Sequence, residues 1–302
     1  MKTKIFLNKP LDYKIVSEDM INWVKKYSND SKTKGFVVGV SGGVDSAVIS
    51  TICSKTELPT LLLEMPIHQS KDQVTRAQEH IQWLKDNHSN VSSLRVDLTE
   101  AYDVLYKTFE YDDSKITTEE FDFSMSNTRS RLRMTTLYQY AGINKMIVVG
   151  TGNKVEDYGI GFFTKFGDGG VDLSPIGDLL KSEVYELASY LGVNENIIKA
   201  APTDGLHEDG RTDEDQIGAS YEELEWAMFI IDETCKKTFS MYPDFNEFRF
   251  KFLSDFDKVI ASSKLIFGYF DEREIEVLRI YLKMHVNNSH KMDLPPIFSI
   301  KR

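Results

Sequence analysis

Apolar residues recur along the first third of the chain in two alternating rhythms. Met20, Ile21, Trp23, Val24 and Tyr27 fall at helical spacing and predict an amphipathic helix over residues 17–29, with Ser17 as its N-cap. Residues 35–40, Gly-Phe-Val-Val-Gly-Val, form a short valine-rich run that suits a buried strand. SGGVDS follows at once, and then an apolar helical stretch through Ile52. The alternation continues with strands over residues 60–65 and 93–98 and helices over residues 70–85 and 100–109. Repeated strand–helix units of this kind predict an α/β fold, an open and mostly parallel sheet with helices on both faces.

Further along, residues 110–122 are acidic without clear periodicity and read as a solvated loop. A helix over residues 127–141 and a strand over residues 145–149 come next, and the strand runs into Gly-Thr-Gly-Asn. Residues 157–172, dominated by glycines and acidic side chains, read as an extended functional loop. A helix over residues 178–191 closes on Gly192, a second acidic loop covers residues 203–215, and helical segments reach about residue 285. The expectation is one domain spanning residues 1–302, with residues of about 237–285 as a C-terminal helical extension.

The composition narrows the classes of function. The net charge of -11 disfavours a long polyanionic partner such as a nucleic acid, which needs clustered Lys and Arg. No apolar stretch approaches the length of a membrane span, and the opening MKTKIFLNKP lacks the core of a signal peptide, so a cytoplasmic protein is expected. Cys53 and Cys235 stand far apart in helical segments, which offers neither a disulfide framework nor a CxxC motif and suits two buried thiols.

The sharpest chemical signal is Ser41-Gly-Gly-Val-Asp-Ser46 between a buried strand and a helix. Gly42 and Gly43 let the backbone approach a ligand, the hydroxyls and helix-start N–H groups present donors to a phosphate, and Asp45 adds a hard oxygen for Mg²⁺. It is not a Walker A loop, because no GK[ST] follows, and Gly39-Val40-Ser41 breaks the dinucleotide fingerprint.

Residues 41–46 resemble the SGGxDS loop of the N-type ATP pyrophosphatases, which cleave ATP to AMP and pyrophosphate, and so the fold expected is adenine nucleotide alpha hydrolase-like, or Rossmann-like. Other segments resemble the ammonia-dependent NAD synthetases within that superfamily. They are NTRSRLRM at residues 127–134, GTGNKVE at 150–156, FFTKFGDGGVD at 162–172, the stretch 175–183 with Lys181, Pro202-Thr203, and His290-Lys291 ahead of Pro295-Pro296. The stretch DYGIG after Glu156 is one residue longer than the family pattern.

The resemblance implies adenylation of the nicotinate carboxylate of deamido-NAD by ATP, followed by attack of ammonia and expulsion of AMP. It implies ATP binding by Gly39, Val40, Ser41, Gly42, Gly43, Val44, Asp45, Ser46, Thr151, Lys181 and Thr203, with Asp45 and Lys181 catalytic and Asp45 and Glu156 on Mg²⁺. It assigns deamido-NAD to Arg131, Lys165, Asp172, His290 and Lys291, with Arg133 a weaker candidate because R-x-R on a helix points two side chains to different faces. Phe162, Phe163 and Phe166 read first as core packing, with stacking on the nicotinate ring as the alternative. A homodimer in contact through the helix over residues 127–141 is also implied.

Only 40 residues precede the loop, too few for the amidase domain of glutamine-dependent relatives, and neither cysteine has a nucleophile's setting, so free ammonia is the expected nitrogen source. The rival readings are another amide-forming ATP pyrophosphatase such as a GMP synthetase, and a non-catalytic nucleotide-binding module.

Overall fold

Among the described residues four short strands pair in the order β3-β2-β1-β4, all parallel. They are β1 (Phe36–Gly39), β2 (Thr60–Glu64), β3 (Val91–Arg95) and β4 (Ile147–Val148). This computed structural model describes residues 10–203, 212–239 and 251–298. The opening residues 1–9, most of the second acidic loop (204–211) and residues 240–250 of the expected extension lie outside the described residues.

β1 is buried on both faces, as its unbroken apolar run requires. Phe36 and Val38 enter one core with Leu62, while Val37 enters the other with Leu61 and Leu63. The first core is closed by α1 (Tyr13–Asp30), α2 (Val44–Lys55), α3 (Lys71–Asn87) and α6 (Lys181–Leu191). The second is closed by α4 (Thr99–Thr108) and α5 (Thr118–Asn144). β2 and β4 flank β1 on opposite sides, so the chain reverses direction across the sheet at the carboxyl end of β1, where open α/β sheets bind ligands.

Several boundaries differ from the sequence reading. α1 starts at Tyr13, because Asp12 accepts from the N–H groups of Lys14 (3.0 Å) and Ile15 (3.3 Å), while Ser17 lies inside the helix and donates back to the Lys14 carbonyl. The acidic stretch 110–122 is only partly a loop. Thr117 accepts from the Glu120 N–H at 3.2 Å and Glu120 accepts from the Thr117 N–H at 2.8 Å, a capping box that starts α5 at Thr118 and buries Phe121 and Met125. β3 sits two residues earlier than expected, since on the sheet edge pairing with β2 decides its register. α6 begins at Lys181, after a series of turns, with Gly192 at φ +78° ending it.

The chain divides into two compact units. Pro10–Asn153 and Phe163–Gln216 form the sheet unit. Lys154–Phe162 and the described residues from Ile217 onward form a helical unit. Its long helices among the described residues are α9 (Tyr221–Phe239), α10 (Phe256–Phe267) and α11 (Glu272–Met292), after the short α7 (Glu195–Ile198) and α8 (Asp213–Ile217). Part of the expected loop 157–172 is a π-helical turn, Lys154–Ile160. One surplus residue widens a helical turn to i→i+5 spacing, which fits the extra residue in DYGIG. α11 holds this turn: His285 Nδ1 lies 2.6 Å from the Gly159 carbonyl oxygen, and Asn288 Nδ2 donates to the Ile160 carbonyl at 2.9 Å.

α2 is buried almost all round, and its hydroxyls are satisfied inside the helix, as in the bond from Ser50 to the Ser46 carbonyl at 2.7 Å. Ser50 also meets His80 Nε2 of α3 at 2.9 Å. Burial pushes His80 down to about 4 from its ordinary 6.5, opposed in part by the Ala47 backbone. Above pH 6.5 this histidine is neutral both folded and unfolded; as pH falls from 6.5 toward 4, only the unfolded chain takes the proton, so stability is lost. Urea titrations at pH 7 and pH 5 are expected to show a loss of order 1–3 kcal/mol from this group, and His80→Gln should flatten that dependence. Equal slopes in the two proteins would contradict it.

Candidate active site

The phosphate loop follows from what surrounds it. Val40 ends the β1 ladder with an N–H bond to the Leu63 carbonyl at 2.9 Å, and the chain turns sharply through Gly42 at φ +84°. A Cβ on Gly42 would lie 2.5 Å from the Gln73 carbonyl oxygen and 3.2 Å from the Ala77 nitrogen, so glycine is required both for its φ and for the close approach of α3. Within the loop, Gly43 N–H donates to Ser41 Oγ at 3.2 Å, Ser41 N–H donates to Ser46 Oγ at 3.2 Å, and Ser46 Oγ donates to the Gly43 carbonyl at 3.0 Å. No side chain caps α2 at Gly43, so the first-turn amides of a core-anchored helix face the loop, an arrangement that favours anions.

Asp45 lies in the first turn of α2 and joins two distant segments of the sheet unit. Its Oδ2 accepts from Lys181 Nζ at 2.7 Å and its Oδ1 accepts from Asn153 Nδ2 at 3.1 Å. The lysine side chain is 4% exposed and the aspartate 17%. Lys181 is the first residue of α6, where a cation opposes the helix dipole, and the Asp45 charge offsets this. Asn153 is fully buried at the end of GTGN, and its role was not anticipated although the motif containing it was noticed. Gly39, Val40, Val44 and Ser46 belong to the same strand–loop–helix corner, and Thr151 follows β4 in the same sheet. Thr203 ends the described stretch before residue 204.

The Asp45 carboxylate fits Mg²⁺ by its chemistry, since a carboxylate oxygen is the hard donor this ion takes. No group of three or more His, Cys, Asp or Glu forms a metal cage among the described residues. One or two carboxylates completed by substrate phosphates and water is the usual arrangement for this ion. The second expected ligand, Glu156, is in the helical unit, within the π-helical turn, and accepts from the Tyr221 hydroxyl at 2.5 Å.

The loop with Lys165 is docked on α5. Thr164 Oγ1 donates to Asn127 at 2.7 Å, and Ser130 Oγ donates to Asp168 at 2.6 Å while accepting from the Asp168 N–H at 2.9 Å. Asp168 also accepts from the Thr164 N–H at 3.0 Å, so this one carboxylate organises the loop. Spacing on the helix gave no warning of these contacts between distant segments. Arg131 is exposed on α5, whereas Arg133 donates to the Met65 carbonyl just beyond β2 (3.2 Å) and to Gln69 (2.8 Å), contacts that tie α5 to the end of that strand. Asp172 accepts from the Val148 N–H at 2.7 Å and the Tyr138 hydroxyl at 3.1 Å, fastening the sheet edge as well as standing in the family motif.

Of the three phenylalanines expected first as core, Phe162 and Phe163 are half-buried, while Phe166 is 55% exposed and lies outside the core, its ring 5.7 Å from Lys165 Nζ. His290 and Lys291 close α11 in the helical unit. Cys53 and Cys235 are both buried, and burial pushes the Cys53 thiol upward, away from nucleophilic reactivity.

A parallel α/β sheet with a phosphate loop at its switch point, a buried carboxylate and an ammonium defines a nucleotide-handling protein of the ATP pyrophosphatase class. The family model described as NAD synthase matches residues 16–242. The NH(3)-dependent NAD(+) synthetase of Carboxydothermus hydrogenoformans is 40% identical over 210 residues, 69% of this chain and 82% of that one. Among solved structures, NMN synthetase from Francisella tularensis is similar with a TM-score of 0.72 and 29% identity, over 96% of this chain and 100% of that one. The NH3-dependent NAD synthetase from Campylobacter jejuni gives a TM-score of 0.64 and 26% identity over the same shares. The chain belongs to the NAD synthase family.

Breaking one side of a buried ion pair costs about 3–5 kcal/mol, because the remaining charge is stranded. Lys181→Met should therefore lose stability in chemical denaturation as well as activity. The double variant Asp45→Asn/Lys181→Met should regain much of the stability while remaining inactive. Losses that simply add would show that the two groups do not act as a pair.

Proposed function

We propose that this chain forms the amide of NAD, using ATP to adenylate the nicotinate carboxylate of deamido-NAD and ammonia to displace AMP. The observation that carries the reading is one sheet unit holding the phosphate loop, the Asp45–Lys181 pair and the docked FFTKFGDGGVD loop on the helix of Arg131. A carboxylate resists nucleophiles because of its charge, whereas a mixed anhydride with AMP has a good leaving group. The carboxylate oxygen attacks the α-phosphorus, and the bond to pyrophosphate breaks. Ammonia then adds its lone pair to the acyl carbon, AMP leaves with the bonding electrons, and the amine sheds a proton.

Each step needs charge neutralisation more than proton transfer. Lys181, held at 2.7 Å by Asp45, brings a positive charge to the departing pyrophosphate, and the loop amides with Ser41 and Ser46 hold its oxygens. Bound at Asp45, Mg²⁺ would supply further Lewis-acid neutralisation of the phosphates; Glu156 is the other oxygen ligand suggested by the motif. Arg131 and Lys165 supply cations for the diphosphate and carboxylate of the dinucleotide, and the motif adds His290 and Lys291. Glutamine is not the donor on this reading, which glutamine as sole nitrogen source tests. We extend the reading to a homodimer through α5, where Phe123 and Ile143 are each 65% exposed, which light scattering tests, and to a cytoplasmic location, which fractionation tests.

A second reading is favoured by the likeness to NMN synthetase: the acceptor would be the nicotinate mononucleotide. The purified chain should be given ATP, Mg²⁺ and ammonium with each acceptor in turn. Equimolar AMP and pyrophosphate with deamido-NAD is the expected result, preference for the mononucleotide establishes the second reading, and AMP release with neither overturns both. In the same assay Lys165→Ala should raise KM for deamido-NAD tenfold or more, as loss of a charge-assisted contact of roughly 1.5–3 kcal/mol implies. An unchanged KM would remove Lys165 from the substrate site.

A further inference from the structure

We infer that Arg76 is a positioning residue for the phosphate loop, holding the Gly42–Gly43 peptide in the orientation that receives an anion. The inference rests on the nucleotide reading of that loop. The peptide has a glycine on either side, so no Cβ opposes its rotation, and the two orientations differ little in backbone strain. They differ greatly for a phosphate. In a planar trans peptide the carbonyl and the following N–H point in opposite directions. One orientation offers the Gly43 N–H to the ligand, and the flipped one offers the Gly42 carbonyl, whose negative end repels an anion.

Arg76 selects between them. Its Nε–H donates to the Gly42 carbonyl at 3.2 Å, which ties the oxygen to the α3 side of the loop. The Gly43 N–H is thereby turned the other way, where it donates to Ser41 Oγ at 3.2 Å. That hydroxyl occupies the acceptor position a phosphate oxygen would take. Among the described residues the Gly42 carbonyl is the hydrogen-bond partner of Arg76, and no ion pair of this residue competes with it.

α3 is itself well placed to act as the fixed point. Ser70 caps it, its backbone presses on Gly42 at Gln73 and Ala77, and His80 bonds to Ser50 of α2 at 2.9 Å. Nothing in the SGGVDS pattern advertises Arg76, which lies thirty-odd residues downstream on another helix.

Glutamine separates the lock from the charge, because its Nε2 stands the same number of bonds from the backbone as the arginine Nε. Full-length wild type, Arg76→Ala and Arg76→Gln are compared by calorimetric titration with ATP and Mg²⁺, by KM for each substrate, and by melting temperature. Arg76→Ala is expected to weaken ATP binding by about tenfold, the scale of one charge-assisted hydrogen bond. KM for deamido-NAD and the melting temperature should stay at wild-type values, and Arg76→Gln should recover most of the ATP affinity. The inference is overturned by wild-type ATP affinity in Arg76→Ala, by Arg76→Gln as weak as the alanine variant, or by a parallel loss for both substrates with a lower melting temperature. If wild type itself binds no ATP, the nucleotide reading falls too; if it binds and Arg76→Ala is unaltered, only the lock falls.

Discussion

The buried pair of Asp45 and Lys181 is the constraint on which the site depends. Three segments far apart in sequence must converge to make it: the first turn of α2, the first residue of α6, and Asn153 beyond β4. Neither charge tolerates burial alone, so the fold that brings the helices to this corner also fixes the two charges against each other. On the proposed reading, a cation bound at Asp45 would meet the lysine ammonium as well, and phosphates arriving with it would offset that repulsion, so the pair would favour a metal–nucleotide complex over a bare metal.

The loop beside it shows the same economy of preparation. Its amides and hydroxyls bond to one another through Ser41 and Ser46, which on the proposed reading take the places of phosphate oxygens and donors. Phosphate binding there would exchange these internal bonds for charged ones on a helix, α2, that is buried nearly all round. The FFTKFGDGGVD loop is held in a different way, with the carboxylate of Asp168 gathering the Thr164 and Ser130 donors so that the segment carrying Lys165 is seated on α5.

The parts legible in the sequence were those governed by local pattern. The valine-rich β1, the glycine turn and the apolar start of α2 reveal a strand, a loop and a buried helix because each must satisfy burial on its own. Motif likeness carried the family. Boundaries set by partners were harder to read. The start of α5 depends on a reciprocal cap in an acidic stretch that looks solvated, and the register of β3 on a neighbouring strand. The contact of Arg133 with the Met65 carbonyl and the roles of Asn153 and Arg76 join segments far apart in the chain, which no local pattern reveals.

The account stands on activation of the nicotinate carboxylate as a separate event, before any amine is involved. Exchange of labelled pyrophosphate into ATP, measured with ammonium rigorously removed, tests this most directly. Label should enter ATP when deamido-NAD is present and not when it is left out, because only an adenylated carboxylate can return its AMP to pyrophosphate. Amide formation on adding ammonium, with no exchange beforehand, would contradict the account.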